Sequence, residues 1–146
     1  MMTSALALTG VKRVLLIDQL SFLLDFARWR DQRLNLNNAE YIEANMLEST
    51  IDRFVGAFDF GSSTEVLEHV ADVEGAIAIF AKLMRKNGIL FLSTSFGQHP
   101  YPTHLRRNVV YAGKKDDLLQ RFGFERLQIS FPIPTRGNER VYRKVA

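Results

Sequence analysis

"FDFGSSTEVLEHVADVEGAIAIFAKLMRKNGILFLSTSF", residues 58–96, lies in the middle of this 146-residue chain and changes its hydrophobic period twice. The stretch "FVGAFDFGSS" (residues 54–63) that leads into it is apolar and ends on small residues, which reads as a strand. Glu65, Glu68 and His69 stand just past it in a short turn. Asp72 then precedes Ala76, Ile77, Phe80, Leu83 and Met84 at helical spacing, so the pattern predicts a helix over residues 73–86 with Asp72 as its cap. Asn87-Gly88 supplies a left-handed stop. "ILFLSTSF" (residues 89–96) is a second, strongly buried strand. Two strands joined through a helix run parallel.

The same alternation extends outward in both directions. "KRVLLID" (residues 12–18) is a continuous apolar run ending in a carboxylate, the profile of a buried parallel strand. A helix follows, with Leu20, Leu23, Leu24 and Ala27 on one stripe, and "AEYIEAN" (residues 39–45) reads as a short strand. Downstream, "GQHPYPTHLRR" (residues 97–107) is a proline-containing loop, and "KKDDLLQRFG" (residues 114–123) is a short helix stopped at Gly123. "FERLQISF" and "ERVYRKVA" alternate as the two strands of a closing antiparallel hairpin. The fold class expected is α/β: a mostly parallel sheet with helices on both faces and a C-terminal antiparallel hairpin, in one domain spanning residues 1–146. Such sheets bind ligands outside the carboxyl ends of their strands. The positions to inspect are therefore Asp18, Asn45, residues 62–65 and residues 93–96.

Composition narrows the function classes. Hydrophobic residues make up 47% and charged residues 24%, which is globular and argues against disorder. No apolar run approaches the ~20 residues of a membrane-spanning helix. The opening "MMTSALALTG" lacks a basic leader and a long apolar core, so no secretory signal is expected. The absence of cysteine excludes disulfides, thiolate nucleophiles and Cys-ligated zinc, and it suits a cytoplasmic protein. Charge is uneven: residues 1–99 carry 9 Lys/Arg against 12 Asp/Glu, and residues 100–146 carry 10 against 4. The basic final third is read as a solvated face. Attraction of nucleic acid is the sharper alternative, and no glycine-rich phosphate loop, RNA-binding signature or zinc spacing supports it.

At the strand ends, the two oxygens of Asp18 match the vicinal hydroxyls of a ribose, and they match equally the amides at the start of the following helix. Asn45, beside Met46 and Leu47, offers an amide edge and an apolar clamp to a flat heterocycle, or a turn residue next to core. His69 can take a proton from a substrate hydroxyl, or bond a neighbouring carboxylate to orient its loop. No Ser/His/Asp triad spacing is present. Nothing in the spacing of His69, His99 and His104 recommends a metal site, so none is expected.

Residues 58–96 resemble the central segment of class I S-adenosylmethionine-dependent methyltransferases of the type 11 kind: an FD-led strand, a "LEHV-D" turn, a helix, a K-x-G-G type turn and a hydrophobic strand. Asn87 here replaces one of the usual glycines. "VLLIDQLSFLLDFAR" is similar to the family's second strand and helix, whose terminal acid holds the cofactor ribose. The resemblance places that role on Asp18, with its neighbour Gln19. Asn45 and Met46 fall where the family holds adenine, and Ser63, Thr64 and Glu65 where it lines the pocket beside the sulfonium. His69 is then the candidate base.

The interval from Asp18 to Asp59 fits a run from the family's second strand to its fourth. The first strand, its glycine-rich loop and first helix are thus expected to be missing, since no G-x-G stretch occurs and residues 1–11 are too few for a parallel crossover. The resemblance implies a Rossmann-like, N-terminally incomplete methyltransferase domain. It would use S-adenosylmethionine to methylate an O or N of a small molecule or glycan-related metabolite. The alternative is a catalytically inactive truncated homologue acting as a partner subunit, with a second copy or another chain completing the sheet.

Overall fold

The computed structural model describes residues 11–44, 49–97, 102–129 and 138–146. The chain divides into two compact units, Met1–Thr50 and Ile51–Ala146.

The first unit is a strand–helix–strand module. β1 (Val14–Asp18) and β2 (Ala39–Glu43) pair in parallel from Val14 opposite Ala39 to Asp18 opposite Glu43. The helix α1 (Ser21–Arg33) connects them. It stops because Asn35 adopts a left-handed φ of 56°, and the Leu36 amide returns to the Asp31 carbonyl at 2.9 Å. Leu24 and Ala27 are buried as expected. Leu20 and Leu23 are not: they are 49% and 42% exposed, which corrects the four-residue stripe. The reason is geometric, because Leu20 precedes the helix and a two-stranded ribbon offers a narrow surface for packing. A polar contact adds to the module: the buried Asp31 carboxylate accepts from Tyr41 Oη at 2.7 Å and Arg30 Nε at 3.2 Å. Burial, then Asp31, pushes the Tyr41 phenol up to about 12, so it stays a donor.

In the second unit, β3 (Phe58–Thr64), β4 (Met84–Ser93), β5 (Phe124–Leu127) and β6 (Glu139–Lys144) form one sheet in the order β3-β4-β6-β5. β3 and β4 are parallel; β6 runs antiparallel to both β4 and β5, so the expected hairpin is present. The helix α2 (Val73–Leu83) makes the β3–β4 crossover, and α3 (Lys115–Arg121) leads into β5 past Gly123 at φ 79°. Leu67, Ile77, Leu90, Leu92, Leu119 and Tyr142 are fully buried between these elements. Tyr142 Oη and Arg126 both donate to Asp116, at 2.7 and 2.8 Å, tying α3 to the hairpin.

Two boundaries differ from expectation. The strand expected over residues 54–63 begins at Phe58, because a 3-10 segment (Ser49–Phe54) and a turn occupy the preceding residues. The helix expected to reach residue 86 ends at Leu83: Met84 is already extended and pairs with Phe58. The left-handed residue is found where the sequence places it, Asn87 at φ 66°, but it sits in an irregularity of β4 rather than at the helix end. Lys144 Nζ donates to the carbonyls of Ala81 and Met84, replacing helical partners for the last turn.

Candidate functional site

The carboxyl ends of β3 and β4 converge on the turn Leu67–His69. Asp72 accepts from the Gly75 amide at 2.8 Å, the cap read from the sequence, and so fixes where α2 begins after that turn. Asn108, 3% exposed, donates its amide to the carbonyls of Leu67, Glu68 and Val70 at 3.3, 3.1 and 2.9 Å. The turn is held by a residue about forty positions away.

Glu65 sits at φ 53°, an unfavourable conformation for a side chain with a Cβ. It is held there by its own amide bonding Ser93 O at 2.8 Å and by Ser93 Oγ donating to its carboxylate at 2.6 Å. Glu68 is 1% exposed. Thr94 Oγ1 donates to its Oε2 at 2.6 Å and the Ser95 amide to its Oε1 at 3.2 Å. Burial alone would raise this carboxyl, but hydrogen bonds from Thr94, its own amide and Ser95 outweigh it and hold it below the usual carboxylate range. Glu68 is therefore a buried anion.

His69 is exposed, and its Nδ1 lies 2.8 Å from the Thr103 carbonyl. A carbonyl has no proton to give, so Nδ1 carries the hydrogen and, in the neutral ring, Nε2 keeps a lone pair. His104 meets His69 edge to face at 4.9 Å between ring centroids. One donor atom each from Glu68, His69 and His104 lie within 4.8 Å of one another. Lys115 Nζ donates to the Thr94 and Asn138 carbonyls, both at 2.8 Å. Burial, then Arg140, brings this ammonium down to about 8.

Of the expected residues, Ser63, Thr64, Glu65 and His69 belong to this unit. Ser63 is buried and its hydroxyl has no partner among the described residues, while Ser62 and Thr64 are exposed. Asp18 closes β1 and Gln19 follows it, both in the other unit. Asp18 Oδ1 accepts from the Leu20 amide at 2.9 Å, a local turn that favours the backbone-capping reading for one oxygen. Asn45 and Met46 lie outside the described residues. Residues 93–96 are a strand end, as the sequence implies, but nothing in the sequence pairs Ser93 with Glu65 or Thr94 with Glu68. His104, Asn108 and Lys115 carry no local signal, since they arrive from the loop and helix after β4.

The profile of a family described as "Methyltransferase domain" matches residues 1–92. A ubiquinone biosynthesis O-methyltransferase of Erwinia tasmaniensis is 37% identical over 57 residues, covering 39% of this chain and 23% of that protein. The chain thus matches less than a quarter of that relative. The aminoglycoside resistance methyltransferase NpmB1 superposes with a TM-score of 0.73 at 14% identity, over 98% of this chain and 81% of that one. The [4+2]-cyclase SpnF superposes with a TM-score of 0.67 at 17% identity, over 85% of this chain and 46% of that one. At these identities the superpositions establish the fold, a Rossmann-like α/β architecture. Among the described residues no helix is long and apolar enough to cross a membrane.

Proposed function

The chain belongs to the methyltransferase domain family, and from that membership we propose that it transfers a methyl group from S-adenosylmethionine to an oxygen or nitrogen of a small molecule, glycan-related metabolites included. The family match over residues 1–92 carries this reading, and the name of the Erwinia relative favours oxygen as the acceptor atom.

A polar group with unused capacity suits such a ligand. Ser63 has a buried hydroxyl without a partner among the described residues. When bound, S-adenosylmethionine supplies a sulfonium-activated methyl group. Asp18 and Gln19 are assigned to its sugar hydroxyls, Asn45 and Met46 to its adenine, and Ser63, Thr64 and Glu65 to the wall beside the methionine end. His69 Nε2 holds the proton that an acceptor hydroxyl releases as the new C–O bond forms and the C–S bond breaks.

Calorimetric titration of the purified chain with S-adenosylmethionine tests this. Saturable binding with a Kd on the order of micromolar is expected, weakened about tenfold or more in Asp18→Ala. No saturable heat at millimolar ligand favours the second reading, a catalytically silent homologue that acts as a partner subunit. The observation behind that reading is that β3 has β4 as its one strand partner among the described residues, leaving its other edge for pairing. Sedimentation of the same sample distinguishes a self-associating chain from a monomer.

A further inference from the structure

Glu68, His69 and His104 bring three ligand atoms of two chemical kinds within 4.8 Å of each other. Donors around a tetrahedral ion with bonds of about 2.1 Å stand roughly 3.4 Å apart. The 4.8 Å limit exceeds that spacing by about 1.4 Å, a gap that small side-chain adjustments would close.

Two of these side chains are already held by hydrogen bonds. Metal-binding imidazoles characteristically donate their second ring nitrogen to a carbonyl or carboxylate, which fixes the tautomer and turns the other nitrogen toward the ion. The His69 Nδ1 bond to Thr103 O, at 2.8 Å, is that arrangement. The Glu68 carboxylate is oriented by Thr94 Oγ1 and the Ser95 amide. The turn between the two ligands is locked by Asn108 and by the Leu105 amide on Glu68 O at 3.0 Å.

We propose that Glu68, His69 and His104 bind a divalent first-row transition ion, with at least one coordination position open at the carboxyl ends of β3 and β4. Two imidazoles and one carboxylate select zinc, cobalt, manganese or ferrous iron over magnesium and calcium, which prefer all-oxygen shells. Three protein ligands with an open fourth position are the pattern of reactive rather than closed structural sites. His69 Nε2 cannot both ligate the ion and accept a proton, so in the metal-bound form the ion would acidify a bound acceptor hydroxyl, whose proton would pass to solvent water. Only this last step rests on the methyl-transfer reading; the binding claim does not.

The test is titration of the chelator-treated 146-residue chain with cobalt(II) chloride, followed by its visible absorption. One saturable equivalent is expected, displaced by zinc(II) but not by magnesium(II). His69→Ala and His104→Ala should each weaken it at least tenfold, and Glu68→Gln likewise. His104→Gln and His69→Asn serve if the alanine variants do not fold. In a zinc(II) titration followed by nuclear magnetic resonance, the ring signals of His69 and His104 should move. Absence of a saturable cobalt spectrum overturns the proposal. So does equal binding by the His69→Ala/His104→Ala double variant, or displacement by magnesium at similar concentration. A chain that binds metal but not S-adenosylmethionine would leave this inference standing and remove the functional one.

Discussion

Asp116 shows how a single side chain contributes to the acid limit of this fold. Burial would raise its carboxyl, but donors Tyr142 and Arg126 outweigh that and hold it below its ordinary value. A carboxyl depressed in the folded state contributes stability above its unfolded value, near pH 4, and loses it as pH falls through the lower folded value. Thermal melts of the wild type should therefore be flat from neutral pH to about pH 4 with respect to this group and decline below. Tyr142→Phe removes one donor from the anion. The variant should be less stable at pH 7 by about 1 kcal/mol or more, and the gap between variant and wild type should narrow as pH drops below about 4. A gap that is constant from pH 7 to 3 would mean that Tyr142 acts through packing alone. At this scale the sequence exposes candidates but not partners. Asp72 is legible because a cap bonds an amide three residues away. Glu68 and His69 stand out as polar residues at a strand end, yet Thr94, Thr103 and His104 reach them from 26 to 35 positions on, beyond any local pattern.

Among the elements, the α2–β4 junction departs most from its sequence pattern. Helical spacing continues through Met84, but the chain turns extended there because Met84 pairs with Phe58, an interaction invisible to periodicity. Beyond Met84 the strand is irregular: Asn87 takes φ 66° and Gly88 passes close to other backbone. A Cβ on Gly88 would lie 2.9 Å from the Arg85 carbonyl oxygen and 3.2 Å from that of Asp59. Neither atom can swing away as a side chain could. Gly88→Ala should destabilise the protein by roughly 1–3 kcal/mol, measured by chemical denaturation, with the sheet shifted locally at β3–β4. Gly56→Ala gives a control: its added Cβ meets nothing within 4 Å, so any loss there comes from its φ of 62° alone. If Gly88→Ala were neutral, the close approach would not exist in solution. Element ends are more legible where a stop residue forces the backbone, as Gly123 does at φ 79°.

For the molecule as a whole, the alternation of strands and helices is enough to set the class, because parallel strands need crossovers and crossovers announce themselves as helices. Division into units is not legible, since it depends on how elements pack rather than on their identity. Met1–Thr50 contributes a two-stranded sheet and one helix, with Val14, Leu24, Ala27 and Ala44 as its buried hydrophobics among the described residues. Ile51–Ala146 holds a four-stranded sheet and the largest fully buried side chains among the described residues. Local opening free energy follows the apolar surface that opening exposes, and a two-stranded ribbon is marginal without further packing. Native-state hydrogen exchange should therefore rank β1 and β2 amides well below those of β4 and β6. A difference of a few kcal/mol in opening free energy is expected, because each large buried side chain contributes about 1.5–3 kcal/mol. Addition of S-adenosylmethionine should raise β1 protection if Asp18 holds the ligand's sugar, by an amount that grows with the logarithm of ligand concentration. Equal protection of the two units without ligand would show that they unfold as one cooperative body. Ligand-induced protection confined to β3 and β4 would instead detach Asp18 from binding and leave the carboxyl ends of the larger sheet as the sole seat of function.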